Sequence, residues 1–128
     1  MWYNKSNYNF RWAFYMDEKF QRTEMLIGKD GIKKLKKAKV AVFGVGGVGS
    51  FVCEGLARSG VGSFVLIDHD KVSESNINRQ LIATTKTIGK YKVDVMKKRI
   101  LEINPDANVE VYCRKCRHRH SPYLRHHH

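Results

Sequence analysis

Glycines at positions 44, 46, 47 and 49 stand between an apolar run and an amphipathic stretch, and they constrain the backbone here more tightly than any other feature of the chain. The run Val40-Ala41-Val42-Phe43 is continuously apolar and predicts a strand over 39–43 that is buried on both faces. Behind the glycines, Val48, Phe51, Val52 and Leu56 recur at i, i+3, i+4 and i+8, predicting a helix over 47–59 with that face turned inward. Gly44, Gly46 and Gly49 fill the G-x-G-x-x-G spacing between the two elements. They allow a tight turn, close approach of a phosphate to the backbone and close packing of helix on strand. The helix N-terminus then offers exposed N–H groups and positive dipole to an anion. A second strand over 64–68 ends in Asp68, nineteen residues beyond Gly49. Strand, glycine turn, helix and acid-tipped strand together predict a nucleotide site.

The following segment discriminates between nucleotides. Asp68 suits the ribose hydroxyls of NAD and of ATP equally. Beyond it, Asp70-Lys-Val-Ser-Glu-Ser-Asn-Ile-Asn-Arg-Gln80 carries amides and a guanidinium toward the strand ends, and Lys92 follows. Fixed cations past the glycine turn match a triphosphate, whose extra charge an NAD pyrophosphate lacks. An NAD-dependent oxidoreductase would leave these cations without a purpose. Asp70 serves equally well as a turn-forming residue after the strand, and His69 reads as a loop residue.

Elsewhere the pattern predicts a helical segment near 23–37 and a helix near 89–103 with Val93, Met96, Ile100 and Ile103 on one face. Asn104-Pro105 stops that helix, and a third strand follows at 108–112. The 128 residues allow one domain at most, and these elements sum to one βαβαβ half of a Rossmann-like parallel sheet. In a complete sheet of this type the first strand is central and needs a neighbour on each side. Only one such neighbour is predicted, so the chain is expected to expose an apolar, aggregation-prone edge.

These residues resemble the ThiF/MoeB/E1-like superfamily of ATP-dependent activating enzymes over roughly Phe20 to Tyr112. The resemblance rests on Arg22, Gly44-Val-Gly-Gly-Val-Gly49, Asp68-His-Asp70, Ser75-Asn-Ile-Asn-Arg79-Gln80 and Gly89-Lys-Tyr-Lys92. Within the superfamily, Arg22-Thr-Glu-Met-Leu-Ile-Gly28, Asn76-Ile-Asn-Arg-Gln80 and Val95-Met96 with Ile103-Asn-Pro105 are most similar to the branch that cyclises threonylcarbamoyladenosine at adenosine 37 of tRNA. The resemblance implies an α/β, Rossmann-like ATP-binding fold, truncated here after about three parallel strands. It implies that Gly44, Gly46, Gly47 and Gly49 cradle phosphates, that Asp68 binds the ribose, and that Asn76, Arg79 and Lys92 hold the triphosphate. Arg79 and Lys92 would offset charge on a leaving pyrophosphate. Arg22 matches an arginine that reaches into a partner subunit's ATP site, so a homodimer is implied, with Arg22, Arg79 and Lys92 as the catalytic set. Magnesium is implied as well, but the family's magnesium-binding aspartate follows a fourth strand with no counterpart here, so no metal ligand is assigned and the chain is expected to be inactive alone. An adenylyltransferase acting on a ubiquitin-like or sulfur-carrier protein, with a sulfur-transfer partner, shares the same ATP residues.

The chain carries 24 Lys and Arg against 12 Asp and Glu, a net charge of +12. Five of those basic residues lie in 113–128, which hold no acid, so residues 1–112 carry 19 against 12, a net +7. Lys33, Lys34, Lys36, Lys37 and Lys39 form a cluster able to follow a phosphate backbone such as tRNA, or simply to solvate a helix face. This leaves a third reading, a basic nucleic-acid-binding module without catalysis. Residues 1–19 are expected to be an N-terminal extension, aromatic-rich through Tyr15, with Met1 or Met16 as the start; the nucleotide-binding part spans 20–112. Residues 113–128 read as a foreign basic tail, frameshifted or vector-derived. Its Cys113, Cys116, His118 and His120 lie within eight residues, too close together to close a zinc finger. No signal peptide or membrane span is predicted, and three cysteines suit a reducing cytoplasm better than a disulfide framework.

Overall fold

The computed structural model describes residues 18–113. Most of the expected N-terminal extension, with all its aromatics through Tyr15, and the basic tail after Cys113 lie outside the described residues. The chain forms helix α1 (Gln21–Lys37), strand β1 (Lys39–Phe43), helix α2 (Gly47–Ser59), strand β2 (Ser63–Ile67), helix α3 (Lys92–Ile103) and strand β3 (Asn108–Tyr112). A short 3-10 turn at Glu74–Asn76 lies in the loop between β2 and α3. α1 is not the single helix expected. Gly28 adopts φ 76° and ψ 173°, a conformation open to glycine, and breaks it into two pieces. No helix among the described residues is long and apolar enough to cross a membrane.

The three strands are parallel in the order β1-β2-β3. Val40, Phe64 and Val109 share one register line, and Val42, Leu66 and Val111 another, so these six side chains face the same side. α2 and α3 cover that side. Phe64, Leu66, Met96, Ile100 and Cys53 are fully buried there, the larger ones each stabilising the fold by about 1.5–3 kcal/mol relative to exposure. Burial pushes the Cys53 thiol up to about 11.

The opposite face of the sheet is open among the described residues. It carries Ala41, Phe43, Val65, Ile67 and Tyr112, with Lys39 paired to Glu110 at 3.1 Å across β2. The expectation of a first strand buried on both faces is therefore corrected. Within β1 only Val42 is buried, because β1 is an edge strand with helices on one side. The expected inward face of α2 is corrected at three of its four positions, Leu56 alone packing against the core. Ser50, Cys53 and Ala57 are buried, whereas Val48, Phe51 and Val52 are 81%, 55% and 42% exposed. Small side chains let the helix lie close against β1 and α3, and that close approach decides the face.

Candidate functional site

Every element of the site gathers at the C-terminal ends of the strands. β1 ends at Phe43, and Gly44 follows with φ +87°, bending the chain back so that its N–H donates to the Ile67 carbonyl at 2.8 Å. α2 starts at Gly47, capped by Gly46 with no side chain bonding to its first N–H groups. Those N–H groups therefore face outward without a side-chain cap, as an anion requires. A Cβ at Gly49 would lie 1.8 Å from the Gly44 carbonyl oxygen, while one at Gly47 would meet nothing within 4 Å. Gly49 is thus a packing requirement inside the turn, and Gly47 leaves open backbone above it.

Asp68 follows β2 directly. Its Oδ2 accepts the Val45 N–H at 2.8 Å, and its Oδ1 accepts the Asp70 N–H at 2.8 Å. The acid predicted for a ribose thus also anchors the glycine turn to the second strand. Ligand-forming atoms of Asp68, His69 and Asp70 lie within 4.8 Å of one another. This set does not fit magnesium, which takes an octahedron of oxygens. One of the three candidate ligands is the His69 nitrogen, which sits 3.2 Å from Asp70, so only two carboxylates offer oxygens.

The long loop between β2 and α3 folds back over the turn. Lys92 donates its backbone N–H to the Asp70 carbonyl at 3.1 Å, and Val72 donates to Lys90 at 2.8 Å. This stitching draws Lys92 to the tip of β2. Lys92 is 7% exposed, and no ion pair among the described residues includes it. With most of the residue packed away and no carboxylate beside it among the described residues, its ammonium is left to pair with an anion. Helix α3 accordingly begins at Lys92, three residues later than the expected 89, because Gly89, with φ +85°, and Lys90 are used to close the loop.

Asn76 and Arg79 shape that loop as they stand. Asn76 is buried, and its Oδ1 accepts the Ser73 N–H at 2.9 Å. Arg79 is exposed, and its Nη1 donates to the Ser75 carbonyl at 3.0 Å and to Asn78 Oδ1 at 2.9 Å. Nε and Nη2 have no partner among the described residues, so two corners of the fork stay available. Gln80, read at first only as part of the motif, is the residue that joins loop to turn. It is 8% exposed, and its amide packs on Gly46, with Nε2 3.4 Å from where a Cβ would stand. Its Oε1 is buried without a partner among the described residues. An amide at the end of a motif facing a glycine turn was the signal available for it.

Arg22 does not join this group. It is exposed, two residues from Phe20, whose ring lies against Gly60 at the far end of α2. Thirteen residues of α2 place that end roughly 20 Å from the glycine turn. Lys33, Lys34, Lys36, Lys37 and Lys39 are all exposed, as the cluster predicted.

The ThiF family's sequence model matches residues 20–125. A tRNA threonylcarbamoyladenosine dehydratase of Bacillus subtilis (strain 168) is 55% identical over 94 residues, covering 73% of this chain and 37% of that protein. A sulfur carrier protein adenylyltransferase of Thermus thermophilus is 36% identical over 104 residues, covering 80% of this chain and 38% of that protein. Among solved structures, the Escherichia coli tRNA N6-threonylcarbamoyladenosine dehydratase in complex with ATP superposes with a TM-score of 0.74 at 41% identity, covering 75% of this chain and 40% of that one. The chain thus spans less than two-fifths of the length of these curated relatives.

Proposed function

Because the chain belongs to the ThiF family, we propose that it is the ATP-binding part of an enzyme that dehydrates and cyclises threonylcarbamoyladenosine at position 37 of tRNA. The observation that carries this reading is Lys92, 7% exposed and with no ion-pair partner among the described residues, held by its backbone to Asp70 next to the acid that anchors the glycine turn. ATP bound here would supply the activating group for an acceptor carboxyl. Gly46, Gly47 and the first turn of α2 hold the phosphates through backbone N–H groups. Asp68 has lone pairs left for ribose hydroxyls after anchoring Val45 and Asp70. Lys92 and the unengaged corner of Arg79 neutralise the β and γ phosphates as charge moves onto them. Asn76 holds the loop in the shape that presents Arg79.

The exposed lysines at the end of α1 and start of β1 give a tRNA backbone a cationic track. In a homodimer Arg22 would act on the partner's nucleotide. The likeness to the Thermus sulfur carrier protein adenylyltransferase favours one second reading, in which the same ATP site adenylates a carrier protein's C-terminus.

Titration calorimetry on the Arg79→Ala chain with ATP and with adenosine tests the phosphate role. ATP affinity is expected to fall about tenfold or more, the scale of one lost charge-assisted contact, with adenosine affinity unchanged. Equal losses for both ligands would refute it.

A further inference from the structure

The loop between β2 and α3 sets one polar side chain against the glycine turn without giving it a hydrogen bond. Gln80 donates its backbone N–H to the Asn76 carbonyl at 2.9 Å, and its own carbonyl accepts from Ala83 at 3.0 Å. Asn76, Ile82 and Ala83 are buried, so the backbone beneath Gln80 is fixed. The residue is 8% exposed, and its Nε2, Cδ and Oε1 stand 3.4, 3.7 and 3.9 Å from where a Gly46 Cβ would lie. Three nearly equal distances lay the broad face of the amide on Gly46. Its N–H bonds lie in the amide plane and so run past Gly46 rather than into it. The Gly46 carbonyl is itself occupied: Ser50 donates to it both its backbone N–H, at 3.1 Å, and its hydroxyl. That carbonyl is thereby turned into α2. Because C=O and N–H oppose each other across a trans peptide, the Gly47 N–H points out of the helix.

Among the described residues nothing uses the polarity of this amide. Oε1 is sealed from solvent without a partner, and Nε2, which makes no hydrogen bond there either, is not sealed. A buried, unpaired acceptor costs stability, and an apolar side chain of the same length would fill the space without that cost. The amide is therefore accounted for by what its donor meets. Beside that donor lie the N–H groups at the start of α2, which have no side-chain cap and, with the positive end of the helix, favour an anion. We propose, on the reading of this turn as an ATP site, that Gln80 contacts phosphate. Nε2 donates to the phosphate oxygen held at the Gly47 N–H, adding one neutral side-chain donor to the backbone donors of the turn. Its part differs from that of Arg79 and Lys92. Those cations attract phosphate from a distance, whereas a neutral amide acts only in contact and fixes which oxygen sits in the turn.

Gln80→Met keeps the length of the side chain and removes both amide groups. In urea melts of the full 128-residue chain its midpoint is expected to match or exceed that of the wild type, because the sealed acceptor is gone. In titration calorimetry its affinity for ATP and for tripolyphosphate should fall about tenfold, the scale of one hydrogen bond to a charged group, with adenosine affinity unchanged. Gln80→Glu, of the same shape, should weaken both phosphate ligands further by setting a carboxylate against them. Because the lost donor is neutral, the Gln80→Met deficit should be the same at low and high salt, whereas that of Arg79→Ala should shrink as salt rises. Wild-type ATP affinity in Gln80→Met would overturn the inference. So would a Gln80→Met chain that unfolds or loses ATP and adenosine alike, the mark of a packing role. A wild-type chain that binds adenosine but neither ATP nor tripolyphosphate would overturn the ATP-site reading itself, and this inference with it.

Discussion

Gly47 and Gly49 sit two residues apart and are needed for different reasons. A side chain at 49 would strike the Gly44 carbonyl, so Gly49→Ala should lower stability by about 1–3 kcal/mol, seen as a lower urea midpoint. A side chain at 47 meets nothing, and alanine there removes a flexible residue from a helix start, so Gly47→Ala should leave the midpoint unchanged or raise it slightly. It should nevertheless weaken ATP binding in calorimetry, because a methyl group would stand where a phosphate approaches the backbone. Equal stability for the two variants would contradict this division. The glycine turn of Gly44 and Gly49 and the acid Asp68 at the tip of β2 were legible as local features because spacing and charge reveal them. The two backbone N–H groups held by Asp68 were not, since they depend on where Val45 and Asp70 arrive in space.

Between elements, Glu54 of α2 clamps α3. Arg99 donates Nε to Oε2 at 2.9 Å and Nη2 to Oε1 at 2.8 Å, and Arg58 donates Nε to Oε1 at 2.9 Å. The Arg99 hydrogen bonds, ahead of those from Arg58, hold the Glu54 carboxyl below the usual carboxylate range. A carboxyl with a depressed folded value stabilises the fold above its unfolded value and loses that contribution as pH falls through the folded one. The urea midpoint should therefore fall as pH drops below about 4.3, the ordinary glutamate value. Glu54→Gln should be less stable by about 1–2 kcal/mol at pH 7 and show a shallower acid decline. An identical acid decline in the variant would assign it to other carboxylates. The extents of β1, α2 and β3 were readable from periodicity, but the buried face of α2 was not. Hydrophobicity favoured Val48, Phe51 and Val52, whereas contact with α3 and β1 selected the smaller Ser50, Cys53 and Ala57.

At the scale of the whole molecule, Arg22 stands about one helix length from the glycine turn of its own chain, so any action on phosphate must come across an interface. In a mixture of Arg22→Ala and Lys92→Ala chains, heterodimers would hold one site with both cations. Calorimetry should then recover tight ATP binding in a fraction of sites that neither variant shows alone. Confirmed heterodimers without such a fraction would count against action in trans.

By itself, the sequence determined the local chemistry: a glycine turn between strand and helix, an acid at the second strand's tip, and cations at Arg79 and Lys92 in the segment that follows. Each depends on residue types at short spacing, where backbone freedom and hydrogen-bonding capacity act locally. The tertiary structure decided which surfaces meet. It alone packed Lys92 to 7% exposure with no ion-pair partner among the described residues, pressed Gln80 onto Gly46, and placed β1 at the edge of the described sheet with Phe43 exposed. Those outcomes depend on contacts between residues far apart in the chain, and hydrophobic periodicity carries no record of which apolar face finds a partner.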